Sequence, residues 1–150
     1  MMDGHEARRI MAVRRWGDPP ATWAQHRTVR GMVTMEFGVV DPLGAAIVGQ
    51  HVELAVMRSQ RLAQQSIKFT LFAFDGSTLE RVYQLDINGR SGLRPGDHDF
   101  PHEHIGSDRI VGAPDWNTLG LRGALALFCQ RCTLTIDPPV PDIDDFALRP

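Results

Sequence analysis

The chain has 150 residues, the size of one ordinary domain. Apolar residues make up 43% and charged residues 23%, which is enough apolar content to build a core. A net charge of −2 argues against wholesale electrostatic capture of nucleic acid, and no apolar run approaches the roughly 20 residues of a membrane span. Two cysteines cannot build a disulfide framework, which fits a reducing compartment. The start shows no short apolar stretch ending in a small-residue cleavage site, so a cytoplasmic location is expected.

Charge is unevenly spread. Residues 1–31 carry a net +3, from Arg8, Arg9, Arg14, Arg15, Arg27 and Arg30 against Asp3, Glu6 and Asp18. Residues 137–150 carry a net −3. Lys68 is the only lysine, a bias that fits GC-rich coding, although arginine also makes planar, bidentate contacts to phosphate that lysine cannot copy.

From His5 to Trp16, Ile10, Val13 and Met11 make a narrow apolar strip among arginines, which predicts a short N-terminal helix stopped by Asp18-Pro19-Pro20. Met32–Val40 alternates as a strand, with Val33, Met35, Phe37 and Val39 on one face. Asp41-Pro42-Leu43-Gly44 reads as a turn, and His51–Met57 alternates again through Val52, Leu54 and Val56. Arg58–Gln65 reads as a loop or a helical turn. Ile67–Phe74 and Arg81–Ile87 form a hairpin around Asp75-Gly76, a pair suited to positive φ. A polar loop from Asn88 to Asp99 leads to a short strand over His102–Gly106. Leu121, Ala124, Leu125, Phe128 and Cys132 share one helix face, with Asn117 or Thr118 as candidate cap. Thr133–Ile136 reads as a last strand. The expected fold is α+β: an antiparallel sheet of four to five strands, one C-terminal packed helix and a short N-terminal helix, in a single domain over 1–136. Residues 137–150, rich in proline and aspartate, are expected to form an extended tail.

The chemistry-bearing segment runs from Asp97 to Gly106. It holds His98, His102 and His104, three of the six histidines. On a strand, the period of two puts His102 and His104 on one face, where two imidazoles supply an acid and a base near neutral pH. Such a pair suits phosphodiester cleavage, one ring deprotonating a 2′-hydroxyl and the other protonating the leaving oxygen. Arg109 could stabilise charge on the phosphorane, and His98, Arg90 and Arg94 could bind substrate. The same cluster could hold a metal, completed by Asp97, Asp99 or His98, or be surface histidines in a polar loop. Cys129-Gln130-Arg131-Cys132 ends the helix and has no second C-x-x-C, so it reads as buried small apolar side chains. Neither Gly89–Gly92 nor Gly120–Gly123 matches a phosphate loop. Trp116 reads as core packing.

The order of hairpin, polar loop, Phe100-Pro101-His102-Glu103-His104-Ile105-Gly106 and single helix resembles the TumE-type toxins of bacterial type II toxin–antitoxin pairs and related small bacterial domains. The likeness covers about residues 66–130, and its sharpest element is Phe-Pro-His-x-His. It implies a growth-inhibiting toxin acting on RNA and neutralised by a DNA-binding antitoxin protein, with His102 and His104 carried over by position. Residues 1–65 have no counterpart in that family. The expected function is a metal-independent endoribonuclease needing no cofactor, with RNA and an antitoxin as partners. Two alternatives stand beside it: a non-catalytic interaction protein of phage or mobile-element origin, and a metal-binding domain built on the histidines.

Overall fold

The structure is a computed structural model that describes residues 1–59, 64–89 and 92–143. In chain order, α1 (Gly4–Met11) is followed by β1 (Arg15–Gly17), β2 (Ala24–Gln25), β3 (Met32–Val40), β4 (Ala46–Ser59), β5 (Gln64–Phe74) and β6 (Leu79–Ile87). Then come β7 (His102–Ile105), β8 (Asp108–Val111), a 3-10 turn (Pro114–Thr118), α2 (Gly120–Cys132) and β9 (Leu134–Ile136). The α+β class holds, with α1 and α2 as its helices. Among the described residues the sheet has nine strands, in the order β8-β7-β6-β5-β4-β3-β1-β9 with β2 also paired to β3. The expectation of four to five strands undercounts it. The sheet is also mixed, because β1 and β9 run parallel.

The undercount has a physical cause. β1, β2 and β8 are two to four residues long, too short for alternation to show, and they exist because a neighbour offers its edge. The helix expected over His5–Trp16 ends at Met11 for the same reason. Arg15–Gly17 pairs with Val39–Val40 of β3 and Leu134–Ile136 of β9 instead. Arg15 is fully buried. Its guanidinium donates to the carbonyls of Ile10 and Cys132, at or beside the negative ends of the α1 and α2 dipoles.

The central strands β3 to β6 follow the expected alternation. Val33, Met35, Val52, Leu54, Phe69, Leu71, Tyr83 and Leu85 point to one face and are buried. α1 packs on this face over β6 and β7 with Ala7 and Met11, and α2 packs over β5 and β6 with Ala124, Leu125, Phe128 and Cys132. Phe128 sits between Phe69 and Tyr83, each with ring centroids 5.8 Å away. Asp3 caps α1 by accepting from the Glu6 amide at 2.8 Å. Neither Asn117 nor Thr118 caps α2, because both lie in the preceding 3-10 turn and Leu119 takes the cap position. The turn at Asp75-Gly76 forms as expected. Gly76 adopts φ +99°, and hydrogen bonds from Thr78 and Ser77 hold the Asp75 carboxyl down to about 2.

Arg58–Gln65 reads in the sequence as a loop or a helical turn, yet β4 runs on to Ser59 and β5 starts at Gln64. Residues 60–63 lie outside the described residues. The C-terminal segment does not run free after Ile136. Val140 is buried, Pro141 O accepts from Trp23 Nε1 at 2.8 Å, and Arg122 donates to Val140 O at 2.7 Å. Residues 144–150, with Phe146 and Leu148, lie outside the described residues.

Candidate active site on the open face of the sheet

The second face of the sheet is not covered by the helices. Across it, the register aligns Arg109, His104, Gln84, Thr70, Glu53 and Glu36 in one row. The next row is Val111, His102, Asp86, Lys68, Ala55 and Thr34. His102 and His104 therefore share a face, as the period of two requires, and Glu103 points into the core. A cleft of about 450 Å³ lies here, with Lys68, Arg81, Gln84, Asp86, His102 and His104 in its walls. Met32, Ala55, Met57, Ser66 and Asn88 line its other end, and His98 and Asp99 reach it from the loop before β7.

The two imidazoles meet edge to face, with centroids 4.9 Å apart. Their surroundings differ. His102 is only 6% exposed. Its Nδ1 lies 2.8 Å from Phe100 O, to which it donates, and its Nε2 is 3.7 Å from the Asp86 carboxylate. Asp86 also lies 4.0 Å from Lys68 Nζ. His104 is half-buried, and burial, then the charges of Arg81, His102, Arg109 and Lys68, push its pKa down to about 4. The imidazole is thus neutral at ordinary pH and free to accept a proton. Arg81 Nη1 donates to Gln84 Oε1 at 3.1 Å, and Gln84 Nε2 donates to Thr70 Oγ1 at 2.9 Å, so one polar chain spans β5 and β6.

The other expected site residues fall in different places. Arg109 shares the His104 row, but its guanidinium is exposed and donates to His98 O at 3.0 Å, which ties the loop to β8. Its positive charge still acts on His104. Arg94 is exposed and away from the cleft; its backbone amide donates to Asp97 Oδ2 at 2.7 Å. Arg90 lies outside the described residues. Sequence reasoning missed Lys68, Arg81, Gln84 and Asp86. The signal was partial: alternation already put Lys68 and Thr70 on the face opposite Phe69, but only the β6–β7 pairing brings that face to the histidines.

Among the described residues, no three His, Cys, Asp or Glu side chains are grouped to hold a metal ion. Cys129 and Cys132 are free thiols on the inner side of α2. Burial pushes the Cys129 thiol up to about 11 and that of Cys132 higher still, so both are protonated and pack as small side chains. Glu103, buried beneath the histidines, accepts from Tyr83 Oη at 2.7 Å and Arg131 Nε at 3.1 Å, a network that fixes β7 to β6 and α2. No helix among the described residues is long and apolar enough to cross a membrane. Comparison with family models, curated proteins and solved structures finds no match to this chain.

Proposed function

We propose that the chain is a toxin-type endoribonuclease that cleaves RNA in the open-face cleft by imidazole acid–base chemistry without a metal ion, and that an antitoxin protein restrains it. One observation carries this reading: two imidazoles in contact, in contrasting surroundings, beside Lys68 and Arg81. His104, held neutral, takes the proton of a 2′-hydroxyl as that oxygen attacks the adjacent phosphorus. His102, whose Nε2 lies 3.7 Å from the Asp86 carboxylate, gives a proton to the departing 5′-oxygen. Arg81 offsets the charge gathering on the phosphoryl oxygens, and Lys68 draws in the backbone of the strand beside it. The burial of His102 favours a second reading, in which that ring is structural and the face binds a partner without chemistry.

The test uses purified full chain and a labelled single-stranded RNA, with chelator, from about pH 4 to 9. Cleavage should be indifferent to chelator. His104→Ala should cost about 10²–10⁴-fold in rate, while His5→Ala on the exposed side of α1 should cost little. The acidic limb of the rate profile should fall near pH 4, below the ordinary imidazole range. RNA left intact throughout would overturn the nuclease reading and leave the binding one.

A further inference from the structure

The cleft is longer than its catalytic row. Its two ends differ in chemistry, and that difference points to how a substrate strand lies in it. At one end stand Met32 and Met57, opposite each other on β3 and β4, with Ser66 paired to Met57 and Asn88 beside Ser66, whose Oγ donates to Asn88 O at 3.1 Å. At the other end stand His104, Gln84 and the Arg81 guanidinium. Lys68 lies between them. Strand rise sets the spacing: the Lys68 row is on the order of 7 Å from the Met57–Ser66 pair and the His104 row on the order of 14 Å.

The apolar end is open to solvent, since Met57 is 38% exposed. Thioether side chains of this kind favour contact with flat aromatic rings. Two residues of the cleft lining each carry a buried polar atom that lacks a hydrogen-bond partner among the described residues: Asn88 its acceptor Oδ1, at the methionine end, and Arg81 its donor Nε, at the histidine end. Such atoms are costly when unpaired. A nucleotide strand offers both complements, an exocyclic amine on a base and an anionic oxygen on a phosphate.

We propose that the Met32–Met57 end is a nucleobase subsite, so that the cleft seats a short single-stranded segment with one base on the two methionines and the phosphate beyond it at His104 and Arg81. This rests on the nuclease reading for its choice of RNA, and deepens it by naming what selects the strand. The span from Met57 to His104 exceeds the reach from a base to its own phosphate. The base on the methionines therefore belongs to a nucleotide next to the one attacked, and Lys68 faces the phosphate that links them. Asn88 Oδ1 turns to accept from the amine of that base.

The test is equilibrium binding of the intact chain to labelled single-stranded 2′-O-methyl hexamers, which cannot be cleaved by 2′-hydroxyl attack. One probe is all adenine. The other has the same charged backbone but no bases. The adenine hexamer should bind about ten-fold more tightly, the affinity a sulfur–aromatic contact can supply. Met57→Ser should bring its affinity to that of the base-free hexamer without altering the latter, and Met32→Ser should act the same way. Lys68→Ala should weaken both probes alike. Equal binding of the two hexamers by the wild type, loss of base-free binding in Met57→Ser, or no binding of either probe would overturn the subsite. Base-dependent binding by a chain that leaves natural RNA intact would retain the subsite and remove the nuclease activity. Cleavage of natural RNA with equal binding of both hexamers would do the reverse.

Discussion

His104 shows how one residue's surroundings set its chemistry. Its partner His102 lies in the same strand two residues away, yet His102 is anchored by Phe100 O and faces Asp86, whereas His104 is half-buried and feels the charges of Arg81, Arg109 and Lys68. The sign of the consequence follows from linkage. With the folded pKa pushed down to about 4, the unfolded chain binds a proton that the folded chain refuses across the interval up to the ordinary histidine value near 6.5. This contribution to stability is present above that ordinary value and is lost as pH falls through the interval. His104→Gln is therefore expected to lose less stability than the wild type between neutral pH and about pH 4, as read from denaturant midpoints at each pH. Equal acid sensitivity of the two proteins would show that His104 is not held neutral.

At the scale of elements, α2 and the open face of the sheet make separate predictions. Phe128 is fully buried between Phe69 and Tyr83, and Leu125 lies on the same stripe. Leu125→Ala or Phe128→Ala should destabilise by roughly 2–5 kcal/mol in chemical denaturation. A cost below about 1 kcal/mol for both would mean that the stripe does not carry the helix. On the open face Glu36 and Glu53 stand directly opposite each other on β3 and β4. Burial, then the neighbouring Glu36, raises the Glu53 pKa, while His51 and His26 oppose the rise. A carboxyl with a raised folded pKa is most favourable when protonated, and it costs stability as pH climbs through that value. Glu53→Gln should therefore stabilise the protein at neutral pH by about 0.2–1 kcal/mol, and the gain should vanish in acid. A loss at neutral pH would show that the carboxylate has a favourable partner there.

Across the whole molecule, the first strand meets the last. The parallel pairing of β1 with β9 brings residues 15–17 against 134–136. Trp23 reaches Pro141, Arg122 reaches Val140 and Asp142, and Ile143 packs on the core. Truncation after Ile136 should therefore lower the melting temperature by more than about 4 °C, since burying one valine is worth about 1.5–3 kcal/mol. An unchanged melting temperature would show that the segment contributes nothing to the folded state.

Much of this was legible in the residues alone. The β3–β6 strands, both turns at Asp41 and Asp75, the α2 stripe and the shared face of His102 and His104 follow from periodicities of 2 and 3.6 and from turn chemistry, which are local properties of a chain. The strands β1, β2 and β8, the burial of Arg15 and the hydrogen bond of Trp23 to Pro141 were not legible, because each depends on a partner more than a hundred residues away or on an edge that another strand supplies. The composition of the cleft belongs to the same class. Lys68, Arg81 and Asp86 are ordinary polar residues of a hairpin until β7 pairs with β6 in register, when Asp86 meets His102 and Gln84 meets His104. Local sequence determines which side of a strand a residue occupies; only the order and register of the strands decide what it stands beside, because hydrogen-bonded pairing, not chain proximity, sets the neighbours across a sheet.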